Sequence, residues 1–165
     1  MKKNKKDSVD VVIETPKDCR NKYAWDEKEK VFRLKKILPL GSVFPFDFGF
    51  VPGTKGGDGD PLDVLVIMDE PAFPGCVLEC RIVGVLKARQ TERDKKTETN
   101  DRLIGVSVLS ELYSDIEDIN ALSENILRQI EQFFVSYNQL AGKKFEPQGW
   151  AGAEEARKLI ATART

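Results

Sequence analysis

Apolar positions follow two different periods along this chain, and the change comes about two-thirds of the way through. In the first part, short runs rich in β-branched and aromatic residues are separated by turn formers. Residues 9–14 and 31–34 predict strands. In residues 44–50 an aromatic stands at every second position (Phe44, Phe46, Phe48, Phe50), the period of a strand with one buried face. This stripe reads as barrel packing rather than as a binding platform. Residues 64–68, 77–87 and 103–108 add β-branched runs, and Gly75, Gly84 and Gly105 mark turns, bulges or bends. The pattern predicts a small barrel or sandwich rather than alternating β-α-β units. In the last third, Ile126, Leu127, Ile130, Phe133, Phe134 and Tyr137 fall on one helical face, with Ser123 as N-cap and Gly142 just past the end. A second short helix is expected over residues 153–163. Residues 89–101 are polar and without period, and predict a solvated, mobile hairpin loop. No repeat or linker divides the chain, so residues 1–165 are expected to form a single, mainly β (α+β) domain.

Composition narrows the chemistry. The chain is 41% hydrophobic and 32% charged with a formal net charge of −1, so no global field draws nucleic acid or anionic membranes. An anionic substrate must be attracted by a local basic cluster or by bound metal. There is no histidine, which excludes Ser-His-Asp and Cys-His catalysis and removes the commonest zinc ligand. Cys19, Cys76 and Cys80 are an odd set without CxxC spacing, and read as free thiols. The basic opening is followed by no apolar segment of signal type, because residues 9–13 are interrupted by Asp10 and ended by Glu14 and Pro16. No run approaches transmembrane length. A cytoplasmic protein with no membrane partner is expected.

The chemistry concentrates in Asp58-Gly59-Asp60-Pro61-Leu62-Asp63, which runs into the strand-like Val64-Leu65-Val66-Ile67. Three carboxylates within six residues repel one another, and a hard divalent cation that takes oxygen ligands reverses that balance. In an extended strand Asp58 and Asp60 share a face and Asp63 points the other way. Gly59 and Pro61 permit the kink that would bring all three to a common centre. An EF-hand loop is excluded, since Leu62 stands where its fifth position needs an oxygen ligand and Asp63 where its sixth needs Gly.

With that segment as signature, the chain from Val11 to about Ile160 resembles the soluble family I inorganic pyrophosphatases. The supporting landmarks occur in order: residues 11–14 ending in Glu14, then Lys22-Tyr23, Phe44-Pro45 with Phe48-Gly49-Phe50, and the Asp signature itself. After it come Pro74-Gly75, the run from Arg81 to Lys87, Phe133-Phe134 with Tyr137, and Gly149-Trp150. The resemblance implies a five-stranded OB-like β-barrel flanked by two C-terminal helices. It implies Mg²⁺-dependent hydrolysis of inorganic diphosphate to two phosphates, in a homo-oligomer that bacterial members usually build as a hexamer. Such phosphoryl transfer needs metal and cations but no histidine. By the same resemblance, Asp58 and Asp63 would ligate activating metals, Asp60 would act as base or orienter for the attacking water, and Glu14 would hold a further metal. Lys22 and Tyr137 would contact phosphate.

Several positions depart from the family pattern. Ala24 replaces an acidic residue, and Lys36 replaces an arginine, losing its bidentate fork. Phe48 replaces a tyrosine, and Asn138 stands where a lysine follows the tyrosine. The longer loop carries Gln90 and Asn100 near two positions where the family supplies aspartates. If Arg102 takes the role of the lysine that follows them, Asp101 becomes the candidate metal ligand after a one-residue shift, with Asp94 and Glu98 as further candidates inside the loop. The alternatives are a variant pyrophosphatase, or a related phosphoanhydride hydrolase or inactive homologue that keeps a metal and phosphate site. Binding of single-stranded nucleic acid, which OB-like barrels often perform, is opposed by the near-zero net charge and the acidic cluster.

Overall fold

A computed structural model describes residues 7–165; the basic run at residues 1–6 lies outside them. Among the described residues, nine strands and two α-helices follow in the order β1 (Ser8–Thr15), β2 (Asn21–Asp26), β3 (Val31–Ile37), β4 (Asp47–Phe50), β5 (Asp63–Ile67), β6 (Val77–Thr91), β7 (Thr97–Thr99), β8 (Arg102–Ser107), α1 (Glu124–Leu140), β9 (Lys144–Gly152) and α2 (Ala153–Ala163). Among the described residues, no helix is long and apolar enough to cross a membrane.

Five strands close on themselves. β1 pairs with β4, β4 with β5, β5 with β8, β8 with β6, and β6 returns to β1. Within this ring the β5–β8 pair is parallel and the other four pairs are antiparallel. Counting the ring strands alone in chain order gives 1-2-3-5-4, a Greek-key ring of the OB-like kind the resemblance implied. β7 and β9 extend the long β6, while β2 and β3 form a separate two-stranded hairpin. Thr15 ties that hairpin to β1, accepting from Tyr23 N at 3.1 Å and donating to Tyr23 O at 3.0 Å.

The ring strands are apolar on both faces because each face meets a core. Leu65, Ile67, Ile104 and Val106 join Ile130 and Phe134 of α1, whereas Val64, Val66 and Leu103 join Ala156 and Ile160 of α2. Alternation along the strand therefore separates two cores instead of core from solvent. Helix α1 is capped as expected, with Ser123 Oγ accepting from Ile126 N at 3.3 Å. Gly142, at φ +76°, ends it by turning the chain so that Lys143 N reaches the Asn138 carbonyl at 2.9 Å.

Three differences from the sequence-based expectations have physical causes. The aromatic stripe forms a strand only over Asp47–Phe50; Phe44 lies before it, yet Phe44 and Phe48 still pack together at 5.4 Å and against Phe133 and Phe134. Residues 89–101 are not an irregular loop: β6 runs on to Thr91 and pairs with β7, leaving a turn around Lys95 at φ +67°. β9 escaped notice because Pro147 and Gly149 break its pattern. They fall at a β6–β9 register shift between Lys87 and Ala88, where a missing N–H is tolerated.

Candidate active site

Strand register gathers the polar groups at one end of the barrel. In the parallel β5–β8 pair Asp63 lies opposite Arg102. The guanidinium Nη1 donates to Asp63 Oδ2 at 2.6 Å. In the β2–β3 hairpin Lys22 lies opposite Lys36, with a register shift after Lys22. Like charges in register destabilise a hairpin; here both ammonium groups stand over the Tyr137 ring, at 5.3 Å for Lys22 and 3.9 Å for Lys36. Lys36 has no ion-pair partner among the described residues. The Tyr137 ring belongs to the aromatic core, stacked on Phe133 at 5.6 Å.

Glu14 stands at a β1 irregularity between Ile13 and Thr15, and its Oε2 accepts from Trp25 N at 2.7 Å. Burial pushes its pKa up to about 7; the Trp25 N–H opposes that rise, Asp63 adds to it, Lys22 opposes it, and Asp60 adds to it. Burial likewise lowers the Lys22 pKa, against the pull of Asp63 and Glu14. The Asp63 carboxylate keeps 24% of its surface exposed but is crowded by protein. Burial raises its pKa, Arg102 opposes the rise, and Asp58 adds to it. Glu14, Lys22, Asp60, Asp63 and Arg102 thus form one electrostatic unit.

The signature loop is pinned at its base. Thr54 Oγ1 accepts from Leu62 N at 3.0 Å and donates to the Val51 carbonyl at 2.6 Å. At its tip Gly59 adopts φ +86°, and Asp58 Oδ1 accepts from Asp60 N at 3.0 Å. That bond occupies one oxygen of Asp58, and Asp60 is exposed. Among the described residues, no three carboxylates or thiols are placed to hold one ion. The expected convergence of Asp58, Asp60 and Asp63 is therefore electrostatic proximity rather than a closed ligand cage. Asp101 gives Oδ1 to the Ala88 N–H at 3.0 Å. Together with Asp58, Asp63 and Asn100 it lines a cavity of about 410 Å³ bounded on its far side by α2.

Among the described residues, two buried polar atoms make no well-formed hydrogen bond: Arg102 Nε, and the Tyr137 hydroxyl, whose polar neighbour is the Lys36 ammonium. Both can donate, and both sit beside the lysines. The donor set opposite them is all carboxylate oxygen, which suits a hard divalent cation. The arrangement is suited to holding a polyanion between fixed cations and an acidic edge. Sequence reading missed Lys143, whose charge acts on both Lys22 and Tyr137. It follows the helix-ending Gly142, and neither its residue type nor its spacing distinguishes it from a surface lysine.

Comparison with known proteins bears on the family of the chain. The sequence pattern described as inorganic pyrophosphatase matches residues 11–165. The inorganic pyrophosphatase of Streptomyces coelicolor is 41% identical over 152 residues, covering 92% of this chain and 90% of that one. That of Geobacillus stearothermophilus is 38% identical over 153 residues, covering 92% and 89%. The crystal structure of inorganic pyrophosphatase from Thermus thermophilus superposes with a TM-score of 0.89 at 32% identity, covering 98% of this chain and 91% of that one. By sequence and by fold, the chain belongs to the inorganic pyrophosphatase family.

Proposed function

We propose that the protein hydrolyses inorganic diphosphate to two phosphates, using a divalent metal of which Mg²⁺ is the best fit. The observation that supports this most is the pair of buried donors without a well-formed hydrogen bond, Arg102 Nε and Tyr137 Oη, beside Lys22 and Lys36 and facing Glu14, Asp58, Asp60 and Asp63. Phosphate oxygens satisfy both donors and all three cations. Asp58, Asp63 and Glu14 would hold metal, with Asp101 contributing from the cavity wall; the bound metal supplies Lewis acidity and charge neutralisation. Asp60, exposed at the loop tip, is free to accept a proton from the attacking water. Lys22, Lys36, Arg102 and Tyr137 bind the phosphates and offset the charge that develops on them.

A cytoplasmic homo-oligomer, a hexamer by family likeness, accompanies this reading. Exposed Leu40, Phe73, Leu109 and Leu112 supply apolar surface for such contacts. The related reading, cleavage of another phosphoanhydride, is favoured by one feature: a second cavity of about 330 Å³ opens beside Lys36 and Tyr137, lined by Phe133, Leu140 and Arg93. A malachite-green assay comparing diphosphate, tripolyphosphate and nucleotides tests both. Diphosphate should be the best substrate, with release dependent on Mg²⁺, inhibited by excess Ca²⁺ and abolished in Asp63→Ala. No phosphate release from diphosphate at any Mg²⁺ concentration would overturn the proposal.

A further inference from the structure

The Asp63–Arg102 pair is the end of a longer chain of hydrogen bonds. The Arg102 Nη1 that binds Asp63 Oδ2 at 2.6 Å also donates to Asn100 Oδ1. Asn100 Nδ2 donates to Gln90 Oε1 at 2.8 Å, and Gln90 Nε2 donates to Glu92 Oε1 at 2.8 Å. Glu92 Oε2 in turn pairs with Lys143 Nζ at 3.0 Å. The two amides are oriented from both ends: a guanidinium can face only the carbonyl of Asn100, and a carboxylate only the amino group of Gln90. Reversing either would set donor against donor. The guanidinium also lies over Phe134 and Phe145, at 5.0 and 5.6 Å from the ring centroids. Arg102 is 5% exposed, so the amide relay and the two rings hold it against Asp63 in a water-poor setting where the network is stiff.

We propose that Gln90 and Asn100 are positioning residues that hold Arg102 as a resident cation on Asp63, and that this cation competes with divalent metal for the Asp63 carboxylate. The inference rests on reading the acidic cluster as a metal site. A guanidinium at 2.6 Å occupies Oδ2 and repels an incoming dication. Asp63 is left with one oxygen, Oδ1, to offer. The neutral side chains at 90 and 100 contribute no charge to offset that repulsion. Metal is therefore held chiefly by Asp58 and Glu14, and more weakly than the number of carboxylates suggests.

Mn²⁺ binding to the whole protein, measured by calorimetry without substrate, tests this. Arg102→Gln should bind Mn²⁺ at least about ten-fold tighter than wild type, the worth of one charge-assisted hydrogen bond. Asn100→Ala, which loosens the relay without adding or removing charge, should gain about three-fold. Its melting temperature should also rise more on adding Mn²⁺ than the wild type's does. A purely structural relay predicts unchanged or weaker binding, and either result in Asn100→Ala overturns the inference even if Arg102→Gln fails to fold. If wild type binds Mn²⁺ and the variants match it, the inference falls and the metal site stands. If no form binds Mn²⁺, both fall.

Discussion

Replacing Tyr137 by Phe should make the ligand-free protein more stable and the enzyme slower. The ring loses nothing: its contacts with Phe133 at 5.6 Å and Phe44 at 5.7 Å involve the face and edge that phenylalanine keeps. Lys36 also remains over an aromatic ring. What disappears is a buried hydroxyl that makes no well-formed hydrogen bond and has the Lys36 ammonium as its polar neighbour. Burial raises its pKa, and the nearby Lys36 ammonium only counters that rise. An unsatisfied buried polar group costs about 1–3 kcal/mol, and the weak contact with Lys36 offsets part of it, so removal should stabilise the free protein by about 1 kcal/mol. For a chain of this size the melting temperature should rise by roughly 2–4 °C per kcal/mol. With diphosphate bound, the hydroxyl gains a charged acceptor, and losing that bond costs about 1.5–3 kcal/mol, or about ten- to a hundred-fold in kcat/KM. Thermal melts without metal or phosphate, paired with steady-state phosphate release, read the two effects separately. A variant less stable than wild type, or one with unchanged kcat/KM, would refute the reasoning.

Three further outcomes follow from the geometry. Asp101→Ala should lose far more phosphate-release activity than Asp94→Ala, because Asp101 lines the cavity with Asp58 and Asp63 while Asp94 only accepts from Lys96 N in the hairpin turn; equal losses would remove Asp101 from the site. Gly49→Ala would set a Cβ 2.0 Å from the Val12 carbonyl oxygen, so urea unfolding should show a loss on the order of 3 kcal/mol or more. Cys80 is fully buried with its thiol pushed up to about 12. At pH 8 iodoacetamide followed by mass spectrometry should modify Cys19 and Cys76 in the native protein, and Cys80 only after unfolding.

What could be read from the sequence depended on whether local pattern or long-range register decided the position. α1 announced itself through six apolar residues on one face and a serine cap. β5 did so through an unbroken apolar run. β9 could not, because Pro147 and Gly149 break its pattern and its partners lie more than fifty residues earlier. The acidic segment was visible because three carboxylates so close in sequence need a reason. The Lys22–Lys36 pairing was hidden, since it arises from a register shift within a hairpin whose first strand has no alternation. The exchange of carboxylates for Gln90 and Asn100 was legible as composition. Their mutual orientation, fixed by Arg102 at one end and Glu92 at the other, exists only in the folded chain.

The β2–β3 hairpin makes the length of a surface turn a constraint on chemistry. Its two strands meet around residues 27–30, where Lys30 takes φ +55°, and the register set there delivers Lys22 and Lys36 to the same side. Side chains alternate along a strand, so adding or deleting one residue in that turn would slide one strand against the other. Lys35, now exposed, would replace Lys36 opposite Lys22, or the bulge would be consumed to restore the pairing. An insertion far from any reacting atom would thus rotate a phosphate ligand out of the pocket. Variants in that turn should tolerate changes of residue type freely and changes of length hardly at all.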